Sequence, residues 1–587
     1  MAAILIPLVS AVLIALAPEA RAKTIALLGA MTQLVVACYA ATVFDWSFSS
    51  RAQLGMSLAW FDGLGVNLSL GADGVSMVLI LLTGLLGPVC VLASSTAITT
   101  RVRTYYAWLV VLQAAMAGVF AARDVILFYI CFEFTLIPMF ILISLWGSTN
   151  RRRAAIKFFL FTFTGSVVAL AGLVYVTWFN ATLDRASVPA VILSQHELLG
   201  TWTFDVSTLI TAGQLMSATE QAWVLLALMA GFAVKVPLFP VHTWLPLAHT
   251  EAPTAGSVIL AGVLLKLGTY AIYRFALPMV PEAVATYAPH LSMLCVVGII
   301  YGGLICWVQT DVKKLVAYSS VAHLGFCMLG MFALNNTGIT GSILYMVNHG
   351  LSTGALFLLI GMIYERYHTR DMNQLGGLAA KMPVWATFMV FFTMASVGLP
   401  GLNGFVSEFL CLLGAFQASS SWGSGAWGSN IEPVAAATPG ALGPWFAMIA
   451  GTGMIIAAMY LLYMVGKVVW GPLKTPHGHS AGHAEHSGHG ASHGSGGAGG
   501  HGSEDEHAHG LPTDLSGREI MTLVPLAVLC IVLGVYPKPL MQAVQGSVDQ
   551  TVAVVRTPLR SRGATPAPAR HAPQPTNPAN THGEGAQ

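Results

Sequence analysis

Long apolar runs recur from one end of this chain to the other, and they limit its possible folds more than any other feature. A helical run of about 20 apolar residues matches the hydrocarbon thickness of a bilayer. Only 9% of the 587 residues are charged and 55% are hydrophobic, whereas a soluble domain carries roughly 25% charged residues. The sequence therefore predicts an all-α, polytopic membrane protein.

We predict about fourteen transmembrane helices. The first apolar run is assigned to a helix and not to a signal peptide, because Arg21 and Lys23 follow the run instead of preceding it. The predicted spans are 2–17, 22–44, 73–94, 104–121, 124–146, 156–179, 221–247, 254–277, 290–308, 312–334, 339–365, 383–417, 443–470 and 518–536.

Two of these helices, 7 and 12, are predicted to be discontinuous. Helix 7 contains Pro237 and Pro240, which cannot donate backbone hydrogen bonds, and helix 12 contains Pro400 between two glycines. Paired broken helices in two halves indicate a transporter built from inverted repeats. The predicted organisation is residues 1–103 for helices 1–3, 104–278 for a first five-helix repeat, 279–475 for a second, inverted repeat, 476–512 for a His/Gly-rich linker, 513–540 for helix 14 and 541–587 for a polar, Pro/Ala-rich tail.

Lysines and arginines are distributed unevenly over the predicted loops. Sixteen of these basic residues lie in loops on one side of the membrane and four in loops on the other side. The C-terminal tail adds five basic residues to the side with four. Because cytoplasmic loops are enriched in basic residues, we expect the N-terminus to lie outside and the linker to lie in the cytoplasm.

Ionisable side chains inside the predicted helices are the candidates for chemistry. Glu133 lies in the middle of helix 5, and Lys235 lies two residues before Pro237 in helix 7. A charge at the bilayer centre costs roughly 2.5–3.5 kcal/mol on insertion scales, so it needs a polar partner or a wet cavity. Both residues are interpreted as members of a proton relay, and a structural ion pair is the alternative.

Two more ionisable residues, Lys266 and Glu408, also lie inside predicted apolar helices. Lys266 lies near the middle of helix 8, too far from either end for its ammonium group to reach the membrane surface easily. Glu408 follows the broken stretch of helix 12. It is interpreted as the last group of the relay, with a helix-terminal carboxylate near the outer surface as the alternative.

Three histidines complete the candidate set. His323 and His349 lie in helices 10 and 11, and an imidazole can accept and donate a proton near neutral pH. A lone histidine on an apolar helix is more often a packing residue, which remains the alternative for each. His242 lies seven residues after Lys235 and is expected to share its helical face. The predicted relay comprises Glu133, Lys235, His242, Lys266, His323, His349 and Glu408.

No cofactor or metal site is expected in this chain. Its eight cysteines lie in apolar segments and show no C-x-x-C pair or iron–sulfur spacing, so they are interpreted as packed thiols. The linker holds nine of the 18 histidines. Such a tract can bind zinc or nickel weakly, but a solvated linker is the preferred interpretation.

Seven short motifs stand out along the chain: 249–258 (HTEAPTAGSV), 264–268 (LLKLG), 310–323 (TDVKKLVAYSSVAH), 348–350 (NHG), 369–371 (TRD), 375–378 (LGGL) and 404–409 (GFVSEF). Together they resemble the antiporter-like membrane subunits of respiratory complex I and of Mrp antiporters. The resemblance covers about residues 70–470 and is specific at the level of the family. Glutamate at position 408 is similar to the M-type members, since several other members carry lysine there.

This resemblance implies a proton-translocating subunit of an NADH–quinone oxidoreductase in a bacterial inner membrane. It implies that Glu133 pairs with Lys235, that Lys266 is the central relay, that His323 and His349 form a bridge, and that Glu408 lies on the exit side. FMN, iron–sulfur clusters and quinone are expected in other subunits, and the implied partners are the L and N subunits.

Other functions remain open on the sequence alone. An Mrp-type sodium/proton antiporter or a membrane-bound hydrogenase subunit would carry the same motifs. An independent small-molecule transporter would need a substrate cavity instead of a line of ionisable groups. A purely structural subunit would tolerate neutralisation of its buried charges.

Overall fold

The computed structural model describes residues 1–419, 440–474 and 513–556. The predicted linker, the tail after residue 556 and most of the loop predicted at 419–429 lie outside these ranges. The helices within them are α1 (Ala2–Leu16), α2 (Glu19–Val43), α3 (Gly74–Ala93), α4 (Val102–Ala121), α5 (Val125–Phe134), α6 (Leu136–Trp146), α7 (Arg151–Thr182), α8 (Ala190–Gln195), α9 (Val206–Leu215), α10 (Ala218–Lys235), α11 (Leu245–Glu251), α12 (Thr254–Ile259), α13 (Leu265–Ala271), α14 (Leu277–Met279), α15 (Pro281–Trp307), α16 (Val312–Phe332), α17 (Asn336–Tyr367), α18 (Pro383–Val397), α19 (Asn403–Gln417), α20 (Pro444–Val468), α21 (Gly517–Val535) and α22 (Lys538–Arg556).

The predicted all-α membrane fold is confirmed. Each predicted span coincides with a helix or with a broken pair or series of helices, and eleven segments of the described chain are long and apolar enough to cross a membrane. The remaining predicted spans are α1, which has 15 residues, and the two broken pairs α10/α11 and α18/α19. The total of fourteen crossings therefore stays a prediction.

The two predicted breaks are present. Helix α10 ends at Lys235, and the chain turns through residues 236–244 before α11 begins at Leu245. Helix α18 ends at Val397, where Gly398 adopts a left-handed conformation with φ +83°, and α19 begins at Asn403. Proline and glycine at these places remove the hydrogen bonds and the backbone restriction that would continue each helix.

A common local structure opens the two halves. Asp124 caps α5 by accepting the backbone N–H groups of residues 126 and 127, and it forms an isolated antiparallel bridge with Asp205. Asp311 caps α16 through residues 313 and 314, and it bridges to Asp371 in the same way. Between Asp205 and Asp311 the chain runs along the bundle three times: in the broken pair α10/α11, in the segment Thr254–Met279 and in α15. The bridges therefore lie at opposite ends of the bundle, as inverted repeats require.

Besides the short helices α8 and α9, a hairpin and a C-terminal helix lie outside the predicted apolar spans. Strands β1 (Gln53–Phe61) and β2 (Val66–Ala72) form an antiparallel hairpin between α2 and α3. Helix α22 extends to Arg556, into the segment that had been assigned to the polar tail from residue 541. Its valines at 544, 548, 552 and 555 form one buried face, so the helix is amphipathic and its average composition is polar.

Candidate functional site

The first predicted pair lies at the ends of two helices. Glu133 is the penultimate residue of α5, and Lys235 is the last residue of α10. The Lys235 Nζ atom donates to the Phe132 carbonyl across 3.3 Å and lies 4.1 Å from the centre of the Phe132 ring. A cation over an aromatic face is attracted by the ring quadrupole. The backbone and ring of Phe132 therefore hold the ammonium group of this buried lysine.

Glu133 and Lys235 do not form a direct ion pair in this conformation. No ion pair within 4.0 Å joins them in the described chain, although their charges still interact. Both carboxylate oxygens of Glu133 are buried, and the side chain of Ser166 is a neighbouring hydrogen-bonding group. A buried carboxylate without a charged partner is costly. The arrangement is therefore that of an open pair.

The expectation that His242 shares a helical face with Lys235 is wrong. Seven residues bring two side chains onto one face only in a continuous helix, and here the helix ends at Lys235. The His242 ring is buried between Phe239 and Tyr301, each with its ring centre 5.8 Å away. It therefore contacts α15 and lies apart from the hydrogen bonds of the other candidates.

Lys266 lies at the centre of a segment that is buried along nearly its whole length. The segment Thr254–Met279 contains two π-helical turns, Leu260–Leu264 and Ile272–Ala276, and Lys266 follows the first of them. Its Nζ atom donates to the Ala261 carbonyl in that turn and lies 2.8 Å from His349 Nδ1. Single π-helical turns inside α-helices are frequent at functional sites. Lys266 and His349 thus form a direct contact between adjacent ionisable groups.

A second connected group extends this contact. His323 Nδ1 lies 2.7 Å from the Tyr345 hydroxyl, which donates to Glu408 Oε1 across 2.7 Å. His323 Nδ1 also lies 3.3 Å from the same carboxylate oxygen. The His323 and His349 rings are 6.1 Å apart between their centres. Helices α16, α17 and α19 therefore bring three predicted residues into one cluster with Tyr345.

A small cavity lies against this cluster. Its lining includes His323, Tyr345, His349 and Glu408. The volume that the centre of a water molecule can occupy inside it is about 10 Å³. A buried water needs roughly 10–15 Å³ by this measure and two to four polar partners. His323 Nε2 and His349 Nε2 are buried and form no hydrogen bond with a described residue. The cavity therefore has the size and the polar groups to hold about one water.

The broken helix is fixed against α17 by a reciprocal contact. Asn348 Nδ2 donates to the Asn403 carbonyl across 2.8 Å and to Ser407 Oγ across 3.1 Å, while Asn403 Nδ2 donates to the Asn348 carbonyl across 3.2 Å. Asn403 is the first residue of α19. These bonds position Glu408, 2% exposed, toward the interior, so it is not a helix-terminal carboxylate at the surface.

Sequence reasoning missed three buried residues in this region. Tyr345 precedes His349 by four residues and therefore shares its helical face, a signal that was available. His249 is fully buried, stacks on Phe357 with ring centres 4.6 Å apart, and has no hydrogen-bond partner at either ring nitrogen among the described residues. Lys313, the second residue of α16, is also buried and donates to the Ala252 carbonyl across 2.5 Å.

Metal ligands are not grouped in the described part of the chain. No set of three or more His, Cys, Asp or Glu side chains there could hold a metal ion. The eight cysteines are free thiols, and six of them are buried.

The sequence matches a family described as "NADH:quinone oxidoreductase/Mrp antiporter, TM" over residues 122–431. NADH-quinone oxidoreductase subunit M of Rhodobacter capsulatus is 38% identical over 538 residues, which cover 91% of each chain. NADH-ubiquinone oxidoreductase chain 4 of Arabidopsis thaliana is 36% identical over 553 residues, which cover 94% of this chain and 96% of the relative.

The chain belongs to the subunit M family of NADH-quinone oxidoreductase. A chain of the structure "Respiratory complex I from Thermus thermophilus with bound NADH" matches with a TM-score of 0.74 and 28% identity, covering 94% of this chain and 100% of that one. A chain of the Mrp complex from Dietzia sp. matches with a TM-score of 0.69 at 21% identity, which shows a shared fold. The resemblance inferred from the motifs is confirmed, and the subunit M family is favoured over the Mrp alternative.

Proposed function

We propose that this subunit M family chain moves protons across the membrane as part of an NADH–quinone oxidoreductase. The observation that carries the proposal is the connected set of ionisable groups inside its helices: Lys266 against His349, and His323 against Tyr345 and Glu408. Buried ionisable groups are expensive in a membrane, so those that persist mark ion or proton paths by default.

Proton transfer along the second half follows from these distances. A proton on the Lys266 ammonium group passes to His349 Nδ1 over their 2.8 Å contact. The 6.1 Å between the two imidazole ring centres is bridged by a water in the adjoining cavity, since proton transfer needs hydrogen-bond contact. From His323 the proton reaches Glu408 directly or through the Tyr345 hydroxyl, which gives up its own proton as it accepts the next.

The first half supplies the switch. Glu133 and Lys235 lie apart in this conformation, and the lysine is held by Phe132. Opposite unit charges about 5 Å apart attract by roughly 3 kcal/mol at an effective dielectric of about 20. Closing the pair therefore favours the charged lysine, and opening it favours release of the lysine proton. We infer that a small movement of α5 against α10 drives each release toward Lys266.

The remaining assignments follow from the same proposal. The chain contacts other membrane subunits of the complex, among them L and N. It carries no redox centre itself, because FMN, the iron–sulfur clusters and quinone are bound elsewhere. It lies in a bacterial inner membrane with its N-terminus outside and its His-rich linker in the cytoplasm, as the distribution of basic residues favours.

Proton uptake by inverted membrane vesicles driven by NADH tests the proposal. Glu408→Gln removes the ionisable end of the cluster while preserving its shape. Glu197→Gln, in an exposed loop, is the matched control. We expect the Glu408→Gln complex to assemble but to pump at under about a tenth of the normal rate, since positioned acid–base groups contribute ~10²–10⁴-fold. Normal pumping by an assembled Glu408→Gln complex would overturn the proposal.

A further inference from the structure

Three helices leave a cavity where they reach the membrane boundary. It has a volume of about 580 Å³ and lies between the start of α4, the end of α6 and the start of α7. We call it the arginine corner, because Arg101, Arg151 and Arg152 line it. Thr100, Phe140, Ser144, Leu145, Trp146 and Ile156 complete its lining.

The positive charge of the arginine corner is not balanced by any side chain of its described lining. Its described lining contains no Asp or Glu. Arg151 donates to the carbonyls of Leu145 and Gly147 at 3.3 and 3.4 Å, but Arg101 and Arg152 form no ion pair or side-chain hydrogen bond with any residue of the described ranges. Two carboxylates lie beside the corner, and each accepts a backbone N–H: Glu251 accepts from Asn150 and Glu19 accepts from Val102, both across 2.9 Å. Two guanidinium groups are therefore free to bind an anion.

The start of α7 adds to this positive potential. Helix α7 runs for 32 residues, and its N-cap residue Asn150 provides no side-chain hydrogen bond to the first turn. The unpaired N–H groups and the helix dipole favour an anion at such an end. By contrast, Arg274 at the opposite end of the bundle is paired with Asp73.

Apart from Thr100 and Ser144, the remaining lining residues of the cavity are apolar or aromatic. Leu145 and Ile156 are 38% and 51% exposed, and Phe140 lies six residues before Trp146, about 9 Å deeper along α6. Trp146 donates its indole N–H to the Thr100 carbonyl across 2.9 Å, at the level where aromatic side chains mark the membrane interface. A ligand that fills the cavity thus meets arginines at the headgroup level and hydrocarbon below.

We infer that the arginine corner binds one anionic phospholipid, with its phosphate between Arg101 and Arg152 and an acyl chain along Leu145 and Ile156. Arginine matches a phosphate through two parallel N–H···O bonds, and basic pockets between transmembrane helices bind anionic headgroups. A free phosphate would leave the apolar wall unused. The inference rests on the membrane-spanning fold and is independent of the proton relay.

Photo-crosslinking in nanodiscs with the whole purified complex tests this site. The probe is a phosphatidylglycerol that carries a photoreactive acyl chain, and the readout is its attachment to peptides covering residues 140–156. The test variant is Arg101→Gln/Arg152→Gln. The matched control is Arg153→Gln, because this exposed arginine belongs to the same basic run but does not line the cavity. NADH oxidation reports that each complex is assembled.

We expect the double variant to need about 30-fold more lipid for half-maximal crosslinking, since each basic residue near an anionic lipid surface contributes about fivefold. The control is expected to change by less than about threefold. Equal loss in the control would show diffuse attraction and overturn the site. So would equal crosslinking of a phosphatidylcholine probe, displacement by millimolar inorganic phosphate, or a partner subunit found attached at these residues in place of lipid.

Discussion

The hydroxyl group of Tyr345 donates to Glu408 Oε1 across 2.7 Å, and the same hydroxyl lies 2.7 Å from His323 Nδ1. One tyrosine therefore connects an imidazole on α16 with a carboxylate on α19. Its own helix, α17, also carries His349 one turn later. The tyrosine thus joins three helices at the point where the second broken helix begins.

Replacing Tyr345 with phenylalanine tests this connection. We expect proton pumping to fall about two- to tenfold, which corresponds to the loss of one hydrogen bond of about 0.5–1.5 kcal/mol. The loss is partial because His323 Nδ1 already lies 3.3 Å from Glu408 Oε1. Pumping per NADH oxidised in vesicles measures the effect. Complete loss in an assembled complex would show that the direct contact carries no protons.

The backbone at Gly398 approaches Glu408 closely. A Cβ atom there would lie 2.6 Å from Glu408 Oε2, so Gly398→Ala is expected to displace the carboxylate and to lower pumping at least about tenfold. Gly401→Ala is the matched control. It has a similar φ of +93° but no atom within 4 Å of its added Cβ.

Both glycine variants incur the backbone strain of a left-handed alanine, roughly 1–2 kcal/mol. Only Gly398→Ala adds the collision with Glu408. Thermal inactivation should therefore shift for both variants, and pumping by the assembled complex should fall for the first alone. An equal fall in both would assign the effect to strain.

The role of Lys235 in proton pumping is expected to depend on its charge, on its ability to release a proton and on its position beside Phe132. Lys235→Ala should lower pumping to under about a tenth, as expected for the loss of a proton-transfer group. Lys235→Arg keeps the charge but does not release a proton near neutral pH, so it should also fail. Vesicle pumping and NADH oxidation are measured together. Normal pumping with arginine would mean that this charge is structural.

Substitution of His242, in the first half, and of His349, in the second half, should affect proton pumping differently. His349→Asn removes the group that contacts Lys266 and should lower pumping at least about tenfold. His242 contacts Phe239 and Tyr301 and lies outside the hydrogen-bonded chain, so His242→Asn should retain most of the pumping. The opposite order would place the proton path through the turn between α10 and α11.

Arg366 anchors helix α21. It donates to both carboxylate oxygens of Glu519, each across 2.8 Å, and the two side chains are 14% and 8% exposed. Arg366→Gln leaves a buried carboxylate unpaired and should destabilise the subunit by about 2–4 kcal/mol.

Thermal inactivation of the purified complex measures this loss. Lys467→Gln is the control, since its exposed bonds to Asn373 and the Tyr463 hydroxyl are worth under about 1 kcal/mol. Equal midpoints for the two variants would contradict the anchoring role.

The sequence by itself determined the membrane fold, the two helix breaks and the identity of the ionisable candidates. Apolar runs require helices because a lipid environment leaves no other way to satisfy the backbone, and Pro237 and Gly398 interrupt those helices wherever they fold. Glu408 and Lys266 stand out for the same reason, since a charge within an apolar run has a cost that no surface residue has. The hairpin Gln53–Ala72 and the amphipathic α22 were not predicted, because neither contains a long apolar run.

Only the tertiary structure decided which candidates meet. Glu133 and Lys235 were expected to pair, yet the break after Lys235 lets its ammonium group bind Phe132 instead. The same break turns His242 toward α15, where helical spacing no longer applies. Lys266, His349, His323 and Glu408 come together because four helices pack around one point, with Tyr345 completing the connection. Spacing along a chain fixes the face of a continuous helix, whereas contacts between helices depend on how their faces pack.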